Sequence, residues 1–541
     1  MILSSQRLGL AILLATLVCL TRWACGPWPA LALLGVLSGC AGQSAMDRAT
    51  MGWIQVDTED LVIRTNVQPK DAVALAERYQ RLRSAIAQTE FPCAFERSNA
   101  PAELVIFADQ RDIESLGRRY DIGFTTRAPS QKIDAKQQLV MSRRGAGSYT
   151  QLFVAELTYA AIHLCFPEAA PWFVEGMASF YETARIEGDE LVIGMPRYGF
   201  VEMDGVEPSG DTYNVHSHHA IVTILPKRRA PKFDALRAMD EDAFYRRRQG
   251  NRSPDDFTAR IDNYAGAWLA VHMLQLGAPD LSQQFERYLG ELSRGEAEDA
   301  AWDAAFAEID VASRYDDYLH GDYNLARQPI SDVQPQAPTT SPMSQVEAAL
   351  LWARLFGWRN EEDAAEARAY LDYARGRDPT SVDALLDQAA FESDVGDEKE
   401  GEALLAEALA IAPNDPEVLA TAVRWYAATG EPSDVSRADI EGWAEALAGS
   451  AQTAFQYAAL AEYDLRVAGD AARALKNIDR ALVLDATRWR TYVLAGEALE
   501  SLGRTEDAVQ AYYTAIRMSG TAPPGARAWM RKRLALLLSG A

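Results

Sequence analysis

The chain has 541 residues, of which 48% are hydrophobic and 24% are charged, a composition typical of a globular protein with two or three domains. Its 77 acidic and 53 basic side chains give a formal net charge of −24. Because proteins that bind nucleic acid neutralise phosphates with a basic surface, this charge argues against nucleic acid as a partner.

The N-terminus contains two apolar runs, at residues 8–20 and 29–37. Neither reaches the roughly 18 residues that a membrane-spanning helix needs. The second run ends in Leu-Ser-Gly-Cys at 37–40, which resembles the signal of bacterial lipoproteins. The first 39 residues are long for one signal peptide, so translation starting near Leu20 is an alternative.

The lipoprotein resemblance implies cleavage before Cys40 and a lipid on the thiol of this cysteine. Since Ala41 follows and not the aspartate that retains such proteins at the inner membrane, it also implies the outer membrane, facing the periplasm. We therefore predict a signal peptide over 1–39, a tether over 40–51 and membrane attachment through Cys40.

Two cysteines remain besides Cys40 after this cleavage. Cys93 and Cys165 form an even pair in an oxidising compartment, which allows a disulfide. Two buried thiols are the alternative, because spacing in the sequence does not show whether the Cα atoms come within bonding distance.

The segment 52–327 alternates between strand and helix patterns. Short runs of β-branched residues predict strands, and longer apolar periodicities predict helices. The predicted strands are 53–56, 61–65, 103–107 and an edge-like strand at 138–141, with an added hairpin strand at 191–194; the predicted helices are 70–89, 110–118, 149–165 and 172–184. From 217 to 325 the pattern is mainly helical. This order predicts an α+β domain with a small mixed sheet and a helical lobe.

A proline-rich segment at 328–345 has little that could be buried and predicts an extended, solvated linker. Beyond it, over 346–541, small residues recur at a spacing of 34. The pairs are Gly396/Gly430, Gly469/Gly503, Ala374/Ala408, Ala474/Ala508 and Ala481/Ala515.

This period resembles the tetratricopeptide repeat, in which small residues let two helices pack closely. The resemblance implies an all-α solenoid with units starting near 348, 382, 455 and 489. The stretch 416–454 shows no second-helix pattern, and a helix over 524–538 is expected to cap the array. An unrelated helical bundle is the alternative.

One pair of helices carries the candidate chemistry. The first contains Ala-Glu-Leu-Thr-Tyr at 155–159, and the second contains Trp-Phe-Val-Glu-Gly-Met-Ala at 172–178. This arrangement resembles the active site of gluzincin-like metallopeptidases, whose HExxH helix supplies two zinc-binding histidines and a general base. The resemblance implies that Glu156 occupies the position of the base and Glu175 the position of the third zinc ligand. Tyr264, in a tyrosine–tryptophan helix that recurs in these domains, is a further candidate.

The two histidine positions depart from the peptidase pattern. Ala155 has no donor atom, and Tyr159 offers a phenol with an ordinary pKa of about 10, which binds zinc poorly at neutral pH. A catalytic zinc needs three protein ligands and an open position. We therefore expect no metal and no cofactor, with Glu156 and Glu175 as vestiges of the site; zinc is the alternative.

The chain contains six histidines. His163 lies one helical turn beyond Tyr159, and we interpret it as a partly buried structural residue. The group at 216–219 holds three histidines and is interpreted as a loop or helix cap. His272 is interpreted as a packing or surface residue.

These observations predict a membrane-anchored pseudopeptidase that binds a protein or peptide partner through its repeats. The alternative from another class is a metal-dependent hydrolase that uses Glu175, His163 and one histidine of 216–219. A third hypothesis is an assembly factor that works through the repeats alone.

Overall fold

The computed structural model describes residues 46–541 apart from gaps at 48, 90, 92, 94–100, 117–122, 127–129, 131, 134–137, 144–149, 167–168, 196–229, 246–253, 321–322, 331–335, 359, 430–434, 519–523 and 540–541. The predicted signal peptide, Cys40 and the histidine group 216–219 lie outside the described residues. Among the helices that are described, none is both long and apolar enough to cross a bilayer.

Within the described residues, nine strands form two sheets. The strands are β1 (Ile54–Asp57), β2 (Leu61–Thr65), β3 (Ala102–Phe107), β4 (Gly123–Thr125), β5 (Leu139–Ser142), β6 (Arg185–Glu187), β7 (Glu190–Ile193), β8 (Ala326–Pro329) and β9 (Thr339–Pro342). The larger sheet is mixed and has the order β4-β5-β3-β2-β1-β9; the smaller sheet has the order β6-β7-β8. The expected mixed sheet is thus present, and it contains two further strands, β4 and β9. Strands β6 and β8 lie in the small sheet, on either side of β7. The strand predicted at 138–141 as edge-like is interior, because β4 pairs along its outer side.

The helices of the same part follow the predicted order. They are α1 (Pro69–Thr89), α2 (Gln110–Ser115), α3 (Thr150–Cys165), α4 (Pro171–Tyr181), α5 (Phe233–Arg237), α6 (Glu241–Tyr245), α7 (Pro254–Leu276), α8 (Pro279–Ser293), α9 (Glu298–Phe306) and α10 (Val311–Tyr318). Helices α4 and α7 pack along each other and form the centre of the helical lobe.

Helices cover both faces of the large sheet. On β3, Leu104 and Ile106 belong to the core that includes α3, α4 and α7. Val105 and Phe107, which point to the opposite face, belong to a second core shared with the helices beyond residue 345. The continuous apolar run of β3 follows from this arrangement, since a strand buried on both faces has no polar side.

The C-terminal part is entirely helical where it is described. The helices are α11 (Gln345–Phe356), α12 (Glu361–Arg377), α13 (Val382–Val395), α14 (Glu398–Ile411), α15 (Pro416–Thr429), α16 (Arg437–Ala448), α17 (Ala454–Tyr463), α18 (Ala471–Leu484), α19 (Trp489–Ser501), α20 (Thr505–Met518) and α21 (Pro524–Leu538). Consecutive helices pack as pairs from α11/α12 to α19/α20. The stretch 416–454, which lacked a second-helix pattern in the sequence, contains the pair α15 and α16.

In its described residues, the segment expected to be a linker is extended, and the side chains of its second strand are exposed. Its backbone is nevertheless engaged at both ends. Strand β8 pairs with β7 of the small sheet, and β9 pairs antiparallel with β1 at the edge of the large sheet. Proline is tolerated at such a position because an edge strand needs hydrogen bonds on one side only.

The paired helices contact the preceding part at both of their ends. At the first pair, Trp352 of α11 packs on Phe107 with ring centroids 5.0 Å apart. At the last pair, Arg517 of α20 donates to the carbonyl oxygen of Phe166, just after α3, at 3.4 Å. In α21, Arg531 forms an ion pair with Glu241 of α6 at 3.4 Å. The two parts of the described chain therefore form an extensive contact with each other.

Candidate functional site

Helix α4 carries the Trp-Phe-Val-Glu-Gly-Met-Ala motif through the protein interior. Its first helical residue is Pro171, which has the φ angle that a helix start requires and lacks an N–H that would be left unbonded there. Every residue from Trp172 to Tyr181 is buried. A helix enclosed on all sides belongs to the core, so Glu175 is held in an apolar environment.

The glycine of this motif allows close packing between α4 and α7. A Cβ atom added to Gly176 would lie 2.5 Å from the carbonyl oxygen of Ala267 and 2.6 Å from a methyl carbon of Val271. No side chain larger than hydrogen fits at this distance from a backbone oxygen. The motif therefore has a packing role that is independent of any metal chemistry.

Glu175 is the centre of a hydrogen-bonded cluster. Its side chain belongs to a residue that is only 4% exposed. Tyr159 of α3 donates its hydroxyl proton to Oε2 of Glu175. Tyr245 of α6 donates to Oε1 of Glu175 at 2.7 Å. Three helices are thereby joined through one carboxylate group.

The tyrosines of this cluster remain protonated at neutral pH. Burial raises the pKa of Tyr159 well above its ordinary value, and the charge of Glu175 raises it further. Burial and Glu175 raise the pKa of Tyr245 in the same way. A protonated phenol donates to the carboxylate, and it has no free negative oxygen to offer a metal ion.

Tyr264 of α7 lies beside this cluster. Its ring centroid is 6.4 Å from that of Tyr245 and 5.6 Å from that of Phe244. The structure thus brings the sequence candidates Tyr159, Glu175 and Tyr264 into one region. Tyr245 was missed by the sequence reasoning, because it ends a short helix of five residues without a motif.

The residues at the three positions where the peptidase resemblance implies zinc ligands do not fit a zinc ion. Ala155 is buried and has no donor atom. The hydroxyl of Tyr159 is used as a donor to Glu175, and both oxygens of Glu175 accept hydrogen bonds. In the described part of the chain, no three His, Cys, Asp or Glu side chains form a group that could hold a metal ion.

Glu156, at the position of the general base, is partly buried on α3. Two hydroxyl groups near it are directed elsewhere. Thr158 donates to the carbonyl oxygen of Val154 within the helix at 2.8 Å, and Tyr159 donates to Glu175. Neither hydroxyl proton is therefore available to Glu156.

The two described histidines of interest have separate surroundings. Burial lowers the pKa of His163 to about 4, and Arg517 of α20 adds to this effect. His272 lies fully buried on α7, with its ring nitrogens 2.8 Å from the hydroxyl of Tyr318 and 3.0 Å from the carbonyl oxygen of Asn324. His272 is a packing residue, as interpreted from the sequence.

Trp172 contributes to a second carboxylate cluster, around the partly buried Glu298. Its indole N–H donates to Oε1 of Glu298 at 3.4 Å, and the hydroxyl of Tyr288 donates to the same oxygen at 3.3 Å. Arg237 forms an ion pair with Glu298 at 3.3 Å. This cluster joins α4, α5, α8 and α9, and we interpret it as structural because its charges are paired within the protein.

The structure joins Cys93 and Cys165 in a disulfide, with Cα atoms 5.7 Å apart. Cys165 is the last residue of α3, so the bond fixes the end of the helix that carries Ala155, Glu156 and Tyr159.

No protein-family model matches the chain, and no curated protein is significantly similar to it. The function of the site is therefore inferred from its residues and their geometry.

Proposed function

We propose that this protein is a lipid-anchored pseudopeptidase of the bacterial cell envelope that binds a protein or peptide partner through its paired helices. In this proposal the part before residue 328 keeps the frame of a metallopeptidase and has lost its chemistry. The observation that carries it is the hydrogen-bonded cluster of Tyr159, Glu175 and Tyr245.

The geometry of the cluster supports the resemblance to metallopeptidases. In that family the residues corresponding to 159 and 175 must face one point, because both bind the same ion. Here the side chains of Tyr159 and Glu175 meet in a hydrogen bond, although they lie on different helices. The second and third ligand positions therefore retain the mutual orientation that the resemblance implies.

The same geometry supports the loss of catalysis. Two protonated phenols hold the carboxylate that would bind the metal, and the first ligand position is an alanine. A buried carboxylate needs such donors, since an unpaired charge in an apolar interior is strongly unfavourable. Tyr159 and Tyr245 supply two of them to Glu175.

Features of the C-terminal helices support the tetratricopeptide hypothesis. Gly469 and Gly503, 34 residues apart, both adopt left-handed φ angles, of 72° and 71°. Gly469 follows the π-helical residues Asp464–Ala468 that continue α17, and Gly503 lies in the turn after α19. The alanines that recur at the same spacing are fully buried; they are Ala374, Ala408, Ala474, Ala481, Ala508 and Ala515. Repeats of this class bind peptides and proteins on extended surfaces.

The proposed location follows from the lipoprotein resemblance at 37–40. The disulfide between Cys93 and Cys165 supports it, because such bonds persist in oxidising compartments such as the periplasm. The proposed membrane is the outer membrane, with the protein facing the periplasm.

Metal analysis of the purified chain 41–541 tests the loss of catalysis. We expect much less than one zinc per chain, and the same low hydrolysis of an unfolded protein substrate by the parent and by Glu156→Gln. One zinc per chain, together with hydrolysis that disappears in Glu156→Gln, would establish the metal-dependent alternative.

A complementation experiment tests whether the site is needed in the cell. We expect Glu156→Gln to restore the phenotype of a gene deletion as fully as the parent does. A variant that is present at the parent's level in the membrane and fails to complement would contradict the proposal.

A further inference from the structure

The residues just after the proposed lipid attachment site are docked on the first helix pair. We call Met46, Asp47, Ala49 and Thr50 the N-terminal turn. Asp47 accepts a hydrogen bond from the hydroxyl of Tyr373 on α12 at 2.7 Å. It also forms an ion pair with Arg377, one helical turn further along α12. The tether expected over 40–51 is therefore held firmly by α12 near its end.

A second set of contacts joins the N-terminal turn to the large sheet and to α11. The carbonyl oxygen of Ala49 accepts from the indole N–H groups of Trp53 at 2.8 Å and Trp352 at 3.1 Å. Thr50 is 1% exposed, and its hydroxyl donates to the carbonyl oxygen of Met46 at 2.8 Å. These contacts involve an ion pair, buried polar groups and two tryptophans, so the turn has one defined position.

The length of chain between the turn and Cys40 limits where the membrane can lie. Five residues lie between Cys40 and Met46, so their Cα atoms are six positions apart. An extended chain spans at most about 3.6 Å per residue, so the Cα atom of Cys40 lies within about 22 Å of that of Met46. A lipid on Cys40 therefore places the bilayer surface close to the N-terminal turn.

The charges of α12 favour one orientation of this helix. Its first turn carries Glu361, Glu362 and Asp363, whereas its last turn carries Arg375 and Arg377. The N-terminal turn binds at the last turn, where Arg377 pairs with Asp47 and Arg375 pairs with Glu407. The strongly acidic end of α12 lies about 24 Å away along the 17-residue helix. Anionic headgroups repel that acidic end more strongly than the end at which two arginines accompany the acidic side chains.

We propose that the C-terminal end of α12, beside the N-terminal turn, faces the phospholipid surface in the anchored protein. This inference rests on the proposed lipid attachment at Cys40. The acidic start of α12 then points away from the membrane, and the N-terminal turn fixes this orientation.

The cysteines of the chain allow a direct test. In the mature protein Cys40 would carry the lipid, and Cys93 is bonded to Cys165, so an introduced cysteine can be labelled selectively. Gly376→Cys places a fluorophore at the membrane-facing end of α12, where a Cβ atom meets no other atom within 4 Å. Ala365→Cys is the matched control on the same helix, at an exposed position about 16 Å away.

The labelled full chain is purified from membranes and reconstituted into phosphatidylethanolamine/phosphatidylglycerol vesicles. Some of the lipids carry a nitroxide on the headgroup, and the quenching of the fluorophore by this nitroxide is measured. We expect at least roughly twofold stronger quenching at residue 376 than at residue 365. The added substitution Asp47→Asn should reduce this difference, because it removes the ion pair that holds the turn.

Two outcomes would overturn the inference and can be told apart. Equal or reversed quenching in protein that floats with the vesicles would reject the orientation and leave the lipid anchor intact. Protein that does not float with the vesicles would reject the anchor itself, and the orientation with it.

Discussion

Tyr159 illustrates how a single side chain can join two helices through a buried carboxylate. Its hydroxyl reaches Glu175 from a different helix and donates to it. Burial raises the pKa of Tyr159, so the proton stays on the phenol. The sequence predicted that this position had lost its histidine. It did not predict that the tyrosine would bond to the remaining ligand, because the contact depends on how α3 and α4 cross.

Removing this hydroxyl should destabilise the protein. We predict that Tyr159→Phe lowers the free energy of unfolding by about 1–3 kcal/mol, because a buried carboxylate loses one of its donors. Urea denaturation measures the change. Tyr513→Phe is the control, since Tyr513 is also partly buried and its substitution should change the free energy by less than about 0.5 kcal/mol. Equal effects of the two substitutions would contradict the role assigned to Tyr159.

At the scale of elements, the sequence predicted the strongly patterned segments well. Strands β2 and β3 and helices α1, α3, α4 and α21 lie within a few residues of their predicted bounds. The sequence did not reveal β8 and β9, because their residues are polar or proline and show no apolar alternation. These strands form through backbone pairing to existing sheets, which a pattern of side chains does not encode.

The sequence also did not predict that α4 packs on α7, although the motif of α4 contains Gly176. Gly176 belongs to the motif that suggested a metal site, and the structure gives it a packing role of its own. The resemblance to a peptidase and the packing requirement thus depend on the same short motif.

Two glycine substitutions within helices should have opposite effects. We predict that Gly176→Ala destabilises the protein by about 1–3 kcal/mol, because the new methyl group meets the backbone oxygen of Ala267. Gly290→Ala on α8, where a Cβ atom meets no other atom within 4 Å, should stabilise it by about 0.5–1 kcal/mol. The midpoints of denaturant unfolding report both. A stabilising effect of Gly176→Ala would show that the two helices do not approach so closely.

At the scale of the whole molecule, the paired helices and the large sheet share a core. Val105 and Phe107 of β3 are buried against Trp352 and its neighbours. The sequence suggested two units joined by a linker, since the proline-rich segment separates two different patterns. The sequence did not predict the shared core, because the sheet strands and the paired helices each show an ordinary apolar pattern. Deleting 346–541 would therefore expose one face of the sheet, and point substitutions are the cleaner test of the helices.

A tryptophan buried at this contact should contribute more to the free energy of unfolding than an exposed tryptophan. We predict that Trp352→Ala lowers the free energy of unfolding by about 3–5 kcal/mol, since it removes a large side chain that is 3% exposed. Trp529→Ala on α21, where the side chain is 44% exposed, should have a clearly smaller effect. Denaturant unfolding followed by circular dichroism measures both. Similar losses would indicate that the contact between sheet and helices contributes little to stability.

The central claim of the proposal is that this site has the frame of a metallopeptidase and lacks its two histidine ligands. Restoring two histidines, with Ala155→His and Tyr159→His in one chain, tests it most directly, because Glu175 would supply the third ligand. Zinc in the purified, folded variant is measured by atomic spectrometry after dialysis. About one zinc per chain is expected, and it is lost again when Glu175→Gln is added. A folded double variant that binds no more zinc than the parent would contradict it.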